Sequence, residues 1–254
     1  MDQNKKGVLY LIPTTLGETD PSVVLPEGTL AIIRKLDHFI VENLRSARRF
    51  LSKTGNKMAI NELTLSELDK HNIKEDMMKL LLPALEGINI GLMSEAGSPC
   101  VADPGSLVVE TAHKLNLRVV PLSGPNAVLM ALMASGFNGQ HFLFHGYLPI
   151  KPDDRQRKLK KLENQSRENG QTQIFIETPY RNKQLYEAIV QVCRPDTMLC
   201  IAVNLTLEDE DIRSMPVHKW KKQSVAFDKK PAVFLIWHPG PYAKQQQTDQ
   251  ITVS

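Results

Sequence analysis

Motifs of several well-known ligand sites are absent from this 254-residue sequence. No G-x-G-x-x-G follows the first apolar segment, so the usual dinucleotide-binding fingerprint fails. No G-x-x-x-x-G-K-[ST] occurs, which argues against a P-loop nucleotidase. An H-E-x-x-H pair, an EF-hand loop and a G-x-S-x-G elbow are also missing, which argues against the common metalloprotease, calcium-sensor and hydrolase sites.

Cysteines and long apolar runs are scarce as well. Cys100, Cys193 and Cys200 are odd in number and follow no C-x-x-C or metal-ligand spacing. We therefore expect reduced thiols rather than a disulfide framework. No apolar run approaches the roughly 18 residues that a membrane span needs. The polar start, Met1 to Lys6, is typical of neither a signal peptide nor a transit peptide. These features predict a cytoplasmic protein.

The composition is that of an ordinary globular protein. Hydrophobic residues make up 42% and charged residues 23% of the chain, which is enough apolar material for a real core. The net charge of +3 is too small to indicate a nucleic-acid partner by itself. The length fits one large domain or two of roughly 100–130 residues each.

Apolar segments alternate with helical patterns along the chain. Gly7 to Pro13 reads as a buried strand, and Leu44 to Thr54 as a basic helix that stops at Gly55. Such alternation predicts parallel strands joined by right-handed crossovers. The stretch Gly136 to Gln140 interrupts the pattern. We therefore predict an N-terminal α/β domain over 1–136, a C-terminal α/β domain over 141–240 and a flexible polar tail over 241–254.

Other elements are predicted in the same way. A strand is expected over Met58 to Leu65, and Ser66 to Asp69 could cap the next helix. A helix is expected from Asp103 to Asn116. The stretch Leu205 to Lys222 is polar and mixed, and no element is predicted there.

The stretch Gly91 to Gly105 is the strongest candidate for a ligand site. An apolar run enters it and a helical pattern leaves it, and open α/β sheets bind ligands at the carboxyl ends of their strands. Two more small-residue turns, around Gly124 and Thr178, also follow apolar strands. Free backbone N–H groups in such turns favour a carboxylate by ~0.3–1 kcal/mol. The alternative is that all three are ordinary turns of an α/β protein.

Five blocks of sequence, in order, resemble signatures of the tetrapyrrole methylase-like superfamily. The clearest is S-E-A-G-S-P followed by A-D-P-G, which is similar to the superfamily's S-D-A-G-T-P…S-D-P-G. The blocks are Ser94 to Gly105, Val119 to Ala127, Ala134 to Phe137, Phe142 to Pro149 and Ile176 to Arg181. Within the superfamily they look most like the enzymes that methylate a cytidine ribose 2′-oxygen in small-subunit ribosomal RNA.

The resemblance implies a fold, a cofactor and partners. It implies a two-domain α/β tetrapyrrole methylase fold, with each domain a largely parallel or mixed sheet flanked by helices. It implies S-adenosyl-L-methionine as the cofactor, ribosomal RNA or the small ribosomal subunit as the partner, and a homodimer. Carried over by position, the cofactor-binding residues would be Glu95, Ala96, Gly97, Ser98, Ser123, Gly124, Asn126, Ala127, Thr178, Pro179, Ala202, Asn204 and Leu205.

Three carboxylates near strand ends are candidates for the base that removes the proton of a ribose hydroxyl: Glu42, Asp103 and Glu177. Each has a simpler interpretation. Glu42 and Glu177 could pair with nearby arginines, and Asp103 before Pro104 suits a helix N-cap, which is the favoured interpretation for that residue.

Two basic helical segments could meet RNA phosphates. The candidate residues are Arg45, Arg48, Arg49, Arg155, Arg157, Lys158, Lys160 and Lys161. A solvated helix face is the common alternative for such runs. His141 and His145 would share one face of a strand, but with no third ligand in evidence we expect no metal site.

The sequence also departs from the superfamily pattern. Where relatives have A-E-D-T-R, this chain has Val41 to Arg45 (V-E-N-L-R), which keeps Glu42 and Arg45 only. Ala202 to Leu207 and Lys230 to Val233 lose further polar residues of the pattern. Two alternatives to an RNA methyltransferase therefore stay open: a methyltransferase for a tetrapyrrole-like small molecule, and a module that binds S-adenosylmethionine without catalysis.

Overall fold

The structure, a computed structural model, describes residues 6–68, 74–223, 225, 227 and 229–240. The predicted tail, 241–254, and Asp69 of the predicted helix cap lie outside these residues. The chain divides into two compact units, Met1–Asn126 and Ala127–Ser254.

The first unit is built on a sheet of five parallel strands in the order β3-β2-β4-β1-β5. The strands are β1 Val8–Ile12, β2 His38–Val41, β3 Thr64–Glu67, β4 Ile90–Met93 and β5 Arg118–Pro121. The chain leaves β2 towards β3 and leaves the neighbouring strand β4 towards β5, in opposite directions across the sheet. A topological switch point therefore lies between β2 and β4, and the crevice there is the expected ligand position.

The described helices of the first unit are α1 Pro21–Val24, α2 Glu27–Ile33, α3 Leu44–Thr54, α4 Lys74–Leu85 and α5 Ser106–Lys114. The bounds of α3 are those predicted from the sequence. The Asn43 side chain accepts hydrogen bonds from the backbone N–H groups of Arg45 and Ser46, and Gly55 ends the helix in a left-handed conformation with φ 75°. One apolar cluster forms around Ile12, and another forms around Leu9.

The second unit contains a mixed sheet in the order β6-β7-β10-β8-β9. The strands are β6 Phe142–Tyr147, β7 Thr172–Glu177, β8 Met198–Val203, β9 Asp211–Pro216 and β10 Ala232–Trp237. Its helices are α6 Ala127–Ser135, α7 Pro152–Asn169, α8 Asn182–Val192 and α9 Val217–Trp220. Strands β9 and β10 run against the other three. The two sheets agree with the predicted α/β class of parallel or mixed sheets flanked by helices.

Some local predictions differ from the structure. β3 begins at Thr64 rather than Met58, because the preceding residues form turns, and Ser66 lies in this strand rather than in a helix cap. Helix α5 begins at Ser106 with Gly105 as its N-cap, so the N-cap interpretation of Asp103 is wrong. β9 and α9 lie in the stretch for which no element was predicted.

The division into units also differs from the predicted boundary at Gly136. Helix α6 lies in the second unit, where it contacts β8, β9 and β10. It buries Val128, Ala131 and Leu132, and its sequence is apolar on every side, so it is a helix that needs a core to cover it. None of the described helices combines the length and the apolar character that crossing a bilayer requires.

Candidate functional site

Three loops at the carboxyl edge of the first sheet are tied together by hydrogen bonds. They follow β1, β4 and β5. The backbone N–H of Thr14 donates to the Gly97 carbonyl over 2.9 Å, which joins the first loop to the second. The Ser98 hydroxyl donates to the Pro125 carbonyl over 3.3 Å, which joins the second to the third. The loop after β4 therefore holds the other two in place.

The backbone of these loops depends on small residues and on strained positions. Gly97 adopts φ 76°, a left-handed conformation that glycine reaches without steric cost. A side chain at Gly124 would lie within 3.0 Å of the Pro13 ring, so only glycine fits there. Cys100 and Ala102 also have left-handed φ values, 68° and 65°. Such positions cost ~1–3 kcal/mol each in non-glycine residues and often mark functional loops.

The end of β2 meets the loop after β4. The Glu95 backbone N–H donates to Glu42 Oε2 over 3.3 Å. Ser46, in the first turn of α3, donates from its hydroxyl to Glu95 Oε1 over 3.3 Å. The structure therefore brings a predicted catalytic carboxylate, Glu42, beside a predicted cofactor residue, Glu95.

A cleft, called the β1 cleft below, opens beside these contacts with a cavity volume of about 130 Å³. It is lined by residues 14–19 of the loop after β1, by Pro21, by Glu95 and Ala96, and by one face of α3. That face presents Ser46, Arg49, Phe50 and Lys53. The predicted cofactor loop and the predicted RNA-binding helix therefore share one cleft.

The polar groups of the β1 cleft include a hydroxyl without a partner. Thr14 is only 3% exposed, and its Oγ1 has no hydrogen-bond partner within the described part of the chain. Arg49 forms an ion pair with Glu18 over 2.6 Å at the rim. Hydrogen bonds from Ser22 lower the pKa of Asp20, and the charge of Lys53 lowers it further.

The other predicted cofactor residues of the first unit are distributed along the tied loops. Ser123 and Gly124 are exposed, Ser98 and Asn126 are half-buried, and Gly97 is buried. Ala127, the last of this group, is the first residue of α6. Asp103 is half-buried beside Cys100, where burial first and the Asp103 charge second raise the pKa of the Cys100 thiol. Asp103 is not among the residues that line the β1 cleft.

Glu177, the third predicted base, forms an ion pair and a hydrogen bond within the second unit. Its side chain is 0% exposed and pairs with Arg181 over 2.6 Å, and it accepts the backbone N–H of Thr178 over 2.6 Å. The arginine-paired interpretation therefore describes this carboxylate. Thr178 and Pro179, which follow it, are half-buried.

The remaining predicted cofactor residues lie at the end of β8 and in the loop after it. Ala202 and Leu205 are 1% and 6% exposed, so their side chains belong to the interior. The Asn204 side-chain amide donates to both carboxylate oxygens of Asp209 over 2.9 Å, and Lys230 pairs with Asp209 over 2.9 Å. Asn204 therefore holds the shape of its own loop.

The predicted RNA-binding residues are mostly at the surface. Arg45, Arg48 and Arg49 are exposed on α3, and Arg157, Lys160 and Lys161 are exposed on α7, with Lys158 half-buried.

Arg155 is the exception. It is 6% exposed, and its Nε and Nη1 have no partners among the residues that the structure describes. It lies on the inner stripe of α7 with Leu159 and Leu162, so the prediction that it faces solvent phosphates is wrong. The four-residue spacing from Arg155 to Leu159 was the signal that could have shown this.

His141, directly before β6, and His145, within β6, are each hydrogen-bonded to a glutamine. Gln171 bonds to His141 over 2.9 Å, and Gln173 bonds to His145 Nε2 over 2.6 Å. Burial lowers the pKa of His145, and the bond to Gln173 partly opposes this. A search of the described residues finds no group of three or more possible metal ligands.

Two residues of the β1 cleft were missed as functional residues: Thr14 and Ser46. The missed signal for Thr14 was its place just after the first buried strand, at the same sheet edge as the loop after β4. Ser46 lies in the first turn of α3, on the face that carries Arg49.

Comparisons with known proteins agree on one family. A family model described as Tetrapyrrole (Corrin/Porphyrin) Methylases matches residues 9–219. A protein of Escherichia coli O157:H7 named ribosomal RNA small subunit methyltransferase I is 33% identical over 236 residues, which cover 92% of this chain and 78% of that protein. A protein of the same name from Vibrio cholerae is 30% identical over 97% of this chain and 83% of its own length.

Solved structures support the fold. The crystal structure of the methyltransferase CobJ superposes with a TM-score of 0.59, covering 92% of this chain and 100% of that chain. The sequence identity is 17%, so this likeness concerns the fold alone.

Proposed function

Because the chain belongs to the tetrapyrrole (corrin/porphyrin) methylase family, we propose that it transfers a methyl group from S-adenosylmethionine to a ribose 2′-oxygen of ribosomal RNA. One observation supports this choice of substrate most directly. Relatives that match more than 90% of the chain at 30–33% identity bear the name of a small-subunit ribosomal RNA methyltransferase. The solved tetrapyrrole-type methyltransferase shares the fold at 17% identity.

The tied loops of the first unit suit the cofactor. Glu95, Ala96, Ser123 and Gly124 are exposed, and they lie on loops whose backbone is already fixed by hydrogen bonds. The glycines let the main chain approach a flat ring or a carboxylate closely. Bound there, S-adenosylmethionine supplies an electrophilic methyl group. Thr178 and Pro179 remain proposed cofactor residues of the second unit.

Orientation and proton removal are then the tasks of the chain's own residues. Holding two reactants in an attack geometry is worth up to ~7–11 kcal/mol. A positioned base adds ~10²–10⁴ in rate. Among the three candidates we assign this role to Glu42, because it lies beside Glu95 at the sheet edge. Glu177 is held by Arg181, and Asp103 lies beside Cys100.

The exposed basic residues of α3 and α7 are proposed to bind RNA phosphates, as the resemblance implies. A substrate of this kind also implies that the protein works in the cytoplasm, where ribosomal subunits are assembled.

We further propose a homodimer. The edge strand β6 supports it, because Phe142, Leu143 and Tyr147 expose apolar surface there. Light scattering that gives a monomer mass at working concentrations would contradict the dimer.

The test is transfer of labelled methyl from S-adenosylmethionine to small ribosomal subunits from a strain deleted for this gene. We expect label in the RNA, at a ribose that becomes resistant to alkaline cleavage. Glu42→Gln should lower the transfer rate by ~10²-fold or more while leaving the affinity for S-adenosylhomocysteine unchanged.

The rivals give different results. Absence of S-adenosylhomocysteine binding in calorimetry at millimolar ligand would exclude the cofactor. Binding without RNA labelling, but with labelling of a tetrapyrrole, would assign the small-molecule activity. Binding with neither would leave a module without catalysis.

A further inference from the structure

We propose that the β1 cleft is the subsite for a ribose–phosphate unit of the RNA. Arg49 and Lys53 bind the phosphate at its rim, and the Thr14 hydroxyl binds a sugar hydroxyl at its base. The choice of RNA as the polymer rests on the proposed function. The assignment of a sugar phosphate rests on the size, polarity and charge of the cleft.

The size of the cleft suits a small polar group. Pockets that bury a drug-sized ligand are roughly 300–1,000 Å³, so about 130 Å³ is too small for a whole nucleoside cofactor. It is also about ten times the ~10–15 Å³ that one water needs. A fragment of a larger ligand fits this range, with the rest of that ligand outside the cleft.

The interior of the cleft is built for hydrogen bonds. A buried hydroxyl without a partner costs ~1–3 kcal/mol, and the Thr14 hydroxyl has none among the residues that the structure describes. Ser46 and Glu95, joined over 3.3 Å, add a hydroxyl and a carboxylate to the same wall. Together they can accept and donate hydrogen bonds, as sugar hydroxyls require.

The rim carries two positively charged side chains, Arg49 and Lys53, that can bind a phosphate. The Arg49 and Glu18 side chains are 62% and 73% exposed, and exposed pairs of this kind are worth only ~0–1 kcal/mol. A phosphate, which binds a guanidinium through two oxygens, can therefore displace Glu18 from Arg49. Lys53, one turn along α3, forms no ion pair in the described structure and faces the same cleft.

This arrangement predicts opposite effects from two changes that break one ion pair. Arg49→Gln should weaken binding of small-subunit ribosomal RNA about tenfold and make the salt slope shallower by about one unit. Glu18→Gln should tighten binding by up to about fivefold, because the guanidinium no longer has a competing carboxylate. Fluorescence anisotropy over a salt series measures both. If Glu18 and Arg49 had only a structural role, the two changes would act in the same direction.

Two further measurements complete the test. Arg118→Gln, an exposed residue at the start of β5 that lies outside the cleft and outside α3 and α7, is the matched control and should change RNA affinity less than twofold. Thr14→Val, which removes only the hydroxyl, should lower RNA affinity while leaving S-adenosylhomocysteine affinity unchanged. Ribose 5-phosphate should compete with RNA on the wild type and compete poorly on Arg49→Gln.

The outcomes separate this proposal from the proposed function. If the wild type methylates RNA but Glu18→Gln and Arg49→Gln shift affinity in the same direction, or neither shifts it, the cleft assignment is overturned and the activity stands. If the wild type labels no RNA, the proposed function fails. In that case, competition by ribose 5-phosphate that depends on Arg49 would still support a sugar-phosphate site, and its absence would overturn the site as well.

Discussion

Polar side chains at the ends of the strands have different surroundings in the two units. In the first unit all five strands are parallel, so the loop after every strand lies at one edge of the sheet, and several polar side chains there, among them Thr14 and Glu95, line a cleft. In the second unit β9 and β10 run the other way. The polar groups at the corresponding edge are paired internally, Glu177 with Arg181 and Asn204 with Asp209.

This difference distinguishes the residues that we propose as ligand contacts from residues that stabilise the shape of a loop. Both kinds follow apolar strands and both look alike in sequence, since each is a polar residue in a small-residue turn. Their surroundings assign the role: a buried carboxylate that already has a guanidinium partner has little capacity left for a ligand. The first unit therefore carries most of the direct contacts proposed here.

The largest effect should come from the buried pair of the second unit. Removing one partner of a buried ion pair costs ~3–5 kcal/mol. Arg181 is 30% exposed, so Glu177→Gln should lower the free energy of unfolding by about 3 kcal/mol, the low end of that range. Glu95→Gln in the first unit should change stability by less than about 0.5 kcal/mol, as surface substitutions usually do, and should weaken ligand binding instead. Urea unfolding and calorimetry measure the two quantities, and the reverse pattern would break the comparison.

A middle-sized effect should come from the tight packing of the first unit's loops. Gly124→Ala places a Cβ against the Pro13 ring and should cost about 1–3 kcal/mol of stability, with a matching loss of S-adenosylhomocysteine affinity. The matched control is Gly28→Ala within α2, where a Cβ would meet nothing within 4 Å. It should stabilise the protein by ~0.5–1 kcal/mol, because alanine favours a helix over glycine. Equal effects of the two changes would show that the loop can adapt.

The smallest effect concerns pH and Asp20, the N-cap of α1. Hydrogen bonds from Ser22 hold the pKa of Asp20 below its ordinary value, and Lys53 adds to this. A carboxyl whose pKa is lower in the folded state contributes stability above its unfolded pKa, near 3.9, and loses that contribution as the pH falls through the folded value. Asp20→Asn should therefore reduce the difference between the free energy of unfolding at pH 5 and that at pH 2. A series of urea titrations over that range measures this difference. The same pH dependence of the free energy of unfolding in both proteins would contradict the assignment.

Elements with strong end signals could be predicted from the sequence. Helix α3 has its predicted bounds because Asn43 and Gly55 provide a cap and a stop within one chain segment. Strand β10 was found because six consecutive apolar residues can only be buried. β9 was not found, because D-I-R-S-M-P has neither an apolar run nor a clean alternation, and its pairing with β8 is a long-range contact that local patterns do not contain.

The candidate site divides in the same way. The loop around Gly97 could be predicted because a turn after a buried parallel strand has a fixed place in an open sheet. The Ser46–Glu95 contact could not, since it joins residues far apart in sequence whose approach depends on the order of strands. Glu42, Asp103 and Glu177 likewise have different neighbours in three dimensions. Those neighbours, such as the Arg181 guanidinium or the Cys100 thiol, cannot be identified from local sequence.

The ties among the three loops also determine when conformational entropy is lost. Fixing a residue's backbone costs ~1–2 kcal/mol, and the Thr14–Gly97 and Ser98–Pro125 bonds place that cost in folding, before any ligand arrives. Ligand affinity and the stability of this edge are consequently linked quantities. A ligand that binds only the folded edge raises the melting temperature in proportion to the logarithm of its concentration. Any substitution that lets the edge open locally lowers the apparent affinity by the fraction of molecules that remain closed.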